Sequence, residues 1–235
     1  MAGDGVHELS CMVVDLASNA GTGSATVKID RGVPSGSTSV FPAPNANGWH
    51  SGDVTLRAVM SAENVSGIDF AASGCTRNGV PVPLTEYDFT PPNILDIVVH
   101  DDGIFEYVCT VVTPAGLSST SSATVKIDRQ GFDFTMSPSV APDEFGWHDG
   151  PVTLSIGLDL SSISGLDLAA SQCTRSLDGG AVGNIDWSEF TELIPGEVIE
   201  LVVSGNGIHE ISCNLVTNAG VLTADSITVQ IDDGL

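Results

Sequence analysis

Three stretches of this chain are versions of one another: GVHELSCMVVDLASNAGTGSATVKIDR at 5–31, GIFEYVCTVVTPAGLSSTSSATVKIDR at 103–129 and GIHEISCNLVTNAGVLTADSITVQIDD at 207–233. Two further blocks each occur twice: GWHSGDVTL at 48–56 with GWHDGPVTL at 146–154, and SGIDFAASGCTR at 66–77 with SGLDLAASQCTR at 164–175. Repetition on this scale requires the chain to fold as a row of like units, each with its own core. The blocks keep one order, GWH, then SG with AAS and CTR, then the cysteine block, then TVKID, and that order runs through twice. At the N-terminus only the last two blocks are present. The chain therefore opens inside a repeat, and the expectation is a piece of a longer array.

The 235 residues have room for two units of about 100 residues each and a leading remnant, with expected divisions at 1–31, 32–129 and 130–235. Apolar residues make up 42% of the chain, with 26 Gly and 12 Pro as punctuation. No run reaches the roughly 18 uninterrupted apolar residues of a membrane span, so membrane insertion is not expected. MAGDGV lacks the basic and apolar regions of a signal peptide; any such signal is expected to lie upstream or to be absent. Thirty acidic residues against seven basic ones give a net charge of -23, which repels phosphate backbones and anionic membranes and argues against nucleic acid as a partner. Spread charge of this kind solvates a surface. It is also the chemistry that calcium uses, a hard cation taking several carboxylate and carbonyl oxygens.

The periodicity is that of strands. In ATVKID, at 25–30 and 123–128, Val27 and Ile29 face inward and Lys28 and Asp30 outward. HELSCMVVD places Leu9, Cys11 and Val13 on one face. Further strands are expected at DVTLRAV, around IDFAASGCT, at ILDIVV, VTLSIGL and VIELVVS, separated by DDG, GNG, RNG and LDGG turns. DDG at 101–103 reads as a hairpin turn. Seven or so short strands in about a hundred residues is the pattern of an all-β antiparallel sandwich.

Each complete repeat holds two cysteines at matching places, Cys75 with Cys109 and Cys173 with Cys213. Pairing within the repeat would tie the CTR strand to the penultimate strand. Closing a loop of about 35 to 40 residues stabilises by roughly 3 to 4 kcal/mol on the chain-entropy model. Cys11 matches Cys109, so it is expected to be unpaired within this chain, with its partner upstream of Met1. Paired cysteines in an acidic repeat protein indicate an oxidising setting, extracellular or at the cell surface. The alternative is reduced thiols buried as small hydrophobes.

The blocks together, GWH-x-G-x-VTL, SG(I/L), a G-x-(H/F)-E strand with its cysteine, the AG turn and the closing TVKID, resemble the bacterial Ig-like repeats of large secreted and cell-surface proteins. That family's pattern reads GWY, SG, GxHTVxxxATDxAGN and VxIDxTxP, and the resemblance covers the whole chain. It implies tandem Ig-like β-sandwiches that serve in stalks, adhesins or accessory modules of exported enzymes, which is an inference from fold. This chain departs from the pattern with His in GWH and with PAG or NAG at the turn. Only the remnant keeps an Asp and Asn there, Asp15 and Asn19.

No catalytic constellation stands out. His7, His50, His100, His148 and His209 are too far apart in sequence to form a metal pair such as HxxxH, and there is no GxSxG elbow. His50 repeats as His148 and His7 as His209, which points to a structural role such as closing a strand end. No cofactor is required. Calcium is the one metal worth naming: Asp30 and Asp128 end the last strand of their repeats, as does Asp232, and Asp53, Asp149, Asp101 and Asp102 lie on loops expected nearby, although no DxDxDG loop occurs. Trp49 and Trp147 hold the repeated GW position and are expected in packing. Trp187 falls in the longer second repeat, where 39 residues separate Cys173 from Cys213 against 33 between Cys75 and Cys109, and it is a candidate ligand contact or a packed ring closing the sandwich. The reading is of non-catalytic structural or adhesive spacer modules of a long exported protein. Their partners are neighbouring modules of the same parent chain and a protein or glycan ligand. Two alternatives are a carbohydrate-binding accessory module and a self-assembling filament subunit whose N-terminal hairpin complements another chain.

Overall fold

The computed structural model describes residues 3–159, 162–194 and 198–234. The chain forms two compact units. One comprises Met1–Pro42, Val54–Val99 and Ile104–Val125, and the other Ala43–Asp53, His100–Gly103 and Lys126–Leu235.

The first unit opens with a hairpin of β1 (Gly5–Val14) and β2 (Ala20–Ile29), paired antiparallel from Gly5↔Ile29 to Val14↔Ala20. Its turn is braced by the Asp15 carboxylate, which accepts from the backbone of Ala17 and Asn19 and from the Asn19 amide at 2.8 Å each. Where the complete repeats lack that Asp, the hydroxyls of Thr113 and Thr217 do the same work, accepting from Leu117 and Val221 at 3.1 Å.

The strands of the first complete repeat are β3 (Ser35–Phe41), β4 (Val54–Ser61), β5 (Gly74–Arg77), β6 (Val80–Pro81), β7 (Tyr87–Thr90), β8 (Ile94–Val99), β9 (Gly103–Val112) and β10 (Ser118–Ile127). They make two sheets, ordered β3-β4-β8-β7 and β10-β9-β5-β6. Alternation does the sorting: Val54, Leu56, Ala58 and Met60 of β4 are buried and the residues between them are not. Ile97, Tyr107, Val111 and Val125 of the same repeat are buried as well.

The second unit carries the same plan with β11 (Asp133–Pro138), β12 (Trp147–His148), β13 (Val152–Asp159), β14 (Gln172–Leu177), β15 (Gly183–Ile185), β16 (Phe190–Ile194), β17 (Val198–Val203), β18 (Gly207–Val216) and β19 (Leu222–Ile231). Its sheets are ordered β11-β13-β17-β16 and β12-β19-β18-β14-β15. Between them lie Phe134, Leu154, Ile156, Ile199, Leu201, Ile211, Leu215 and Val229. This strand order in two facing sheets, antiparallel apart from the short β12–β19 pairing, is the Ig-like sandwich, built twice.

Three local expectations change. The strand expected around IDFAASGCT begins only at Gly74. Ahead of it the Asp69 carboxylate accepts the N–H groups of Ala71 and Ala72 and holds a turn, as Asp167 does for Ala169 and Ala170. The DDG at 101–103 is not a hairpin turn, because β8 and β9 belong to different sheets. Finally, the Asp closing TVKID does not point to solvent: Asp128 is 1% exposed. Residues 43–53, 100–103 and 126–129, read in sequence with the first repeat, belong to the second unit. There Asn45 donates its amide to the Asn218 carbonyl and Asn47 to Asp167, each at 2.8 Å.

Candidate functional site

The three sequence blocks of the repeat meet at one place. In the second unit the GWH segment lies parallel to the end of the last strand of the first repeat: His50 N–H donates to the Lys126 carbonyl and Asp128 N–H to the His50 carbonyl, both at 2.9 Å. Trp49 is buried there, with the Lys126 ammonium 5.8 Å from its ring centroid. Burial pushes the His50 pKa down and favours the neutral ring. His148 repeats the arrangement on β19, accepting from Asp232 N–H at 2.9 Å.

The carboxylate that follows is the centre of the site. Asp128 accepts from the Ser162 hydroxyl at 2.7 Å and from Ser164 N–H at 2.8 Å, while its other oxygen takes Gln130 N–H at 3.1 Å. Its pKa answers first to burial, which raises it, but the hydrogen bonds of Ser164 and Ser162 together outweigh burial and hold it below the ordinary carboxylate value. The first unit has the same clasp. Asp30 accepts from the Ser66 hydroxyl, from Ser66 N–H at 2.9 Å and from Gly32 N–H at 3.0 Å. The Ser66 hydroxyl is the main cause of its lowered pKa. In each case the terminal Asp of one repeat enters the Ser-Gly loop of the repeat that follows it in sequence. Gly67 and Gly165 sit just beyond the serines at φ +78° and +77°, a left-handed turn that any side chain would strain.

The other acidic candidates fall elsewhere. Asp53 faces His100 Nδ1 at 2.8 Å and the Arg129 guanidinium at 2.5 Å, and Arg129 also reaches Asp102 at 3.1 Å and the His100 carbonyl. A guanidinium therefore bridges Asp53 and Asp102. The hydrogen bond to His100, with its charge and that of Arg129, lowers the Asp53 pKa. Asp149 and Asp232 line a cleft of about 660 Å³ together with Val140, Asp143, Phe145 and Trp147. Among the described residues no three His, Cys, Asp or Glu side chains gather as a metal site.

The cysteines pair within repeats, Cys75 with Cys109 and Cys173 with Cys213, while Cys11 is free and exposed. Each pair is directly cross-strand, with Cα atoms 3.9 and 4.1 Å apart. His7 and His209 each hydrogen-bond through Nε2 to a glycine carbonyl four residues back, Gly3 at 2.9 Å and Gly205 at 2.8 Å. Trp187 begins a 3-10 turn capped by Asp186, stacks on Phe190 at 5.1 Å between centroids and packs half-buried on the core. Leu84 begins the matching turn of the first repeat. The sequence reading passed over Ser66, Ser162, Ser164 and Arg129. The signal was present, since SG recurs in both complete repeats and the Arg of KIDR recurs as Arg31, which pairs with Asp4 at 3.2 Å.

No protein-family model matches the chain, and no curated protein matches it in sequence. Among solved structures it is similar to a tetra-tandem repeat from the extending region of a large adhesion protein, with TM-score 0.47 and 17% identity over 98% of this chain and 57% of that one. It is also similar to the Escherichia coli adhesin FdeC, with TM-score 0.44 and 13% identity over 97% of this chain and 74% of that one. A third similar structure is a 1.5-MDa bacterial ice-binding adhesin, with TM-score 0.37 and 14% identity over 98% and 75% of the two chains. The assignment of an Ig-like fold rests on the strand order above.

Proposed function

We propose that this chain is a run of non-catalytic Ig-like repeats serving as structural and adhesive spacer modules of a long exported surface protein. The observation that carries the reading is the recurring clasp, Asp30 in the Ser66 loop and Asp128 in the Ser162 and Ser164 loop. A reactive site has no reason to recur wherever one repeat follows another, whereas a spacer must control each of those joints. The two disulfides fit an extracellular location, and no described helix is long and apolar enough to cross a membrane. The acidic surface keeps such modules soluble and apart. Small-angle X-ray scattering on the whole chain tests this. A spacer is expected to give one well-defined distance distribution that broadens in Asp128→Ala. A wild-type chain already as broad as the variant would overturn the reading.

A further inference from the structure

The hairpin of β1 and β2 repeats the last two strands of a complete module, and the two complete modules show what that pair normally carries. Leu9 corresponds to Tyr107 and Ile211, both 0% exposed, but is itself 41% exposed. Val13 corresponds to Val111 at 1% and Leu215 at 0%, and is 71% exposed. Cys11 corresponds to Cys109 and Cys213, each closed onto a cysteine directly opposite on β5 or β14. The hairpin forms a two-stranded sheet, so the edge of β1 equivalent to the one that takes β5 or β14 pairs with no other described strand.

We propose that this hairpin is a docking surface for the leading strands of another Ig-like repeat of the same type, which would add a cysteine-bearing strand to the free edge of β1, cover Leu9 and Val13 with its second sheet, and form a disulfide with Cys11. The occupant must resemble residues 130–206, which supply one complete sheet and the strand of Cys173. A second intact copy of the chain does not qualify. Its Cys75 and Cys173 are already closed, and its leading strands already pack on their own last two. The covalent step needs an oxidant, a small-molecule disulfide such as oxidised glutathione. The two protein thiols lose two protons and two electrons as their sulfurs join, and the small disulfide is reduced to two thiols. The surface goes beyond the spacer reading, which assigns no role to the edge of β1.

The test mixes the whole chain with a polypeptide of residues 130–206, which carries Cys173 without Cys213, in a glutathione redox buffer. The control is an unstructured peptide with one cysteine. The expected result is a Cys11–Cys173 adduct at least tenfold above the control adduct, with amide hydrogen exchange slowed across Leu9–Val13. Leu9→Asp combined with Val13→Asp leaves the thiol in place and is expected to bring the yield down to the control level. Equal capture of probe and control, Cys11–Cys11 dimers as the main product, or an adduct in which β1 exchanges as fast as before would each overturn the proposal.

Discussion

A single carboxylate shows how burial and hydrogen bonding divide the work in this chain. Asp128 is almost fully buried yet keeps a pKa below the ordinary value, because two serines and Gln130 supply its donors. Asp128→Ala leaves the Ser162 hydroxyl and Ser164 N–H without their acceptor and is expected to cost about 2 kcal/mol in urea denaturation. The pH dependence follows from the direction of the shift. A carboxylate whose pKa is lower in the fold contributes its full stabilisation above the unfolded value, about 3.9, and loses it as pH falls through the lower folded value. The gap in melting temperature between wild type and Asp128→Asn should therefore hold from neutral pH to about pH 4 and narrow below it. A gap that closes between pH 7 and 5 would mean that another group titrates. Arg129 makes a different case, since it is partly exposed and its partners are charged. Arg129→Ala is expected to lower the melting temperature more at low salt than at high salt. In that variant excess calcium should restore part of the loss, by replacing one cation with another between Asp53 and Asp102. The same titration should leave the wild type unmoved, and a wild-type shift would show that calcium binds beside the guanidinium.

Strands were the legible elements of the sequence, because a period of two leaves a plain trace in VTLRAVM and TVKI and both faces are sorted by burial. The disulfides were legible too, as repetition placed both pairs in register before any geometry was known. Removing one pair, with Cys173→Ser and Cys213→Ser together, is expected to cost about 3 kcal/mol on the chain-entropy model, read from urea denaturation in the absence of reductant. An equal loss on adding reductant to a Cys75→Ser, Cys109→Ser variant, in which Cys173–Cys213 is the one bond left to break, would tie the effect to the bond rather than to packing of the sulfurs. What the sequence hid was the work of its short polar blocks. In SGLDLAAS the apolar residues suggest a strand, but Asp167 takes the N–H groups of Ala169 and Ala170 and Ser171 takes Val216 N–H, so the segment is a turn tied to β18. Asp128 was read as outward by alternation. Its serine partners lie more than thirty residues on, and a pattern confined to one strand carries no trace of them.

At the scale of the whole molecule, a chain of repeats has two kinds of stability, that of each repeat and that of each joint. The clasp links repeats by sequence, since Asp128 closes one repeat and Ser162 and Ser164 belong to the next, while all three lie in the second compact unit. Its worth to the array is therefore a coupling energy, and single substitutions do not isolate it. A double-mutant cycle of Asp128→Ala with Ser162→Ala does, because Ser162 donates to Asp128 at 2.7 Å and both residues are buried. The expected coupling is about 1 kcal/mol, with the second substitution costing little once the first is in place. Calorimetry supplies the other half of the argument. Joints that couple neighbours hold their unfolding together, so the wild type should melt over a narrower range than Asp128→Ala, whose transitions should move apart as the joint is lost. Additive costs and an unchanged endotherm would mean that each repeat melts by itself, and the clasp would then be a local cap on a strand end with no part in joining one module to the next.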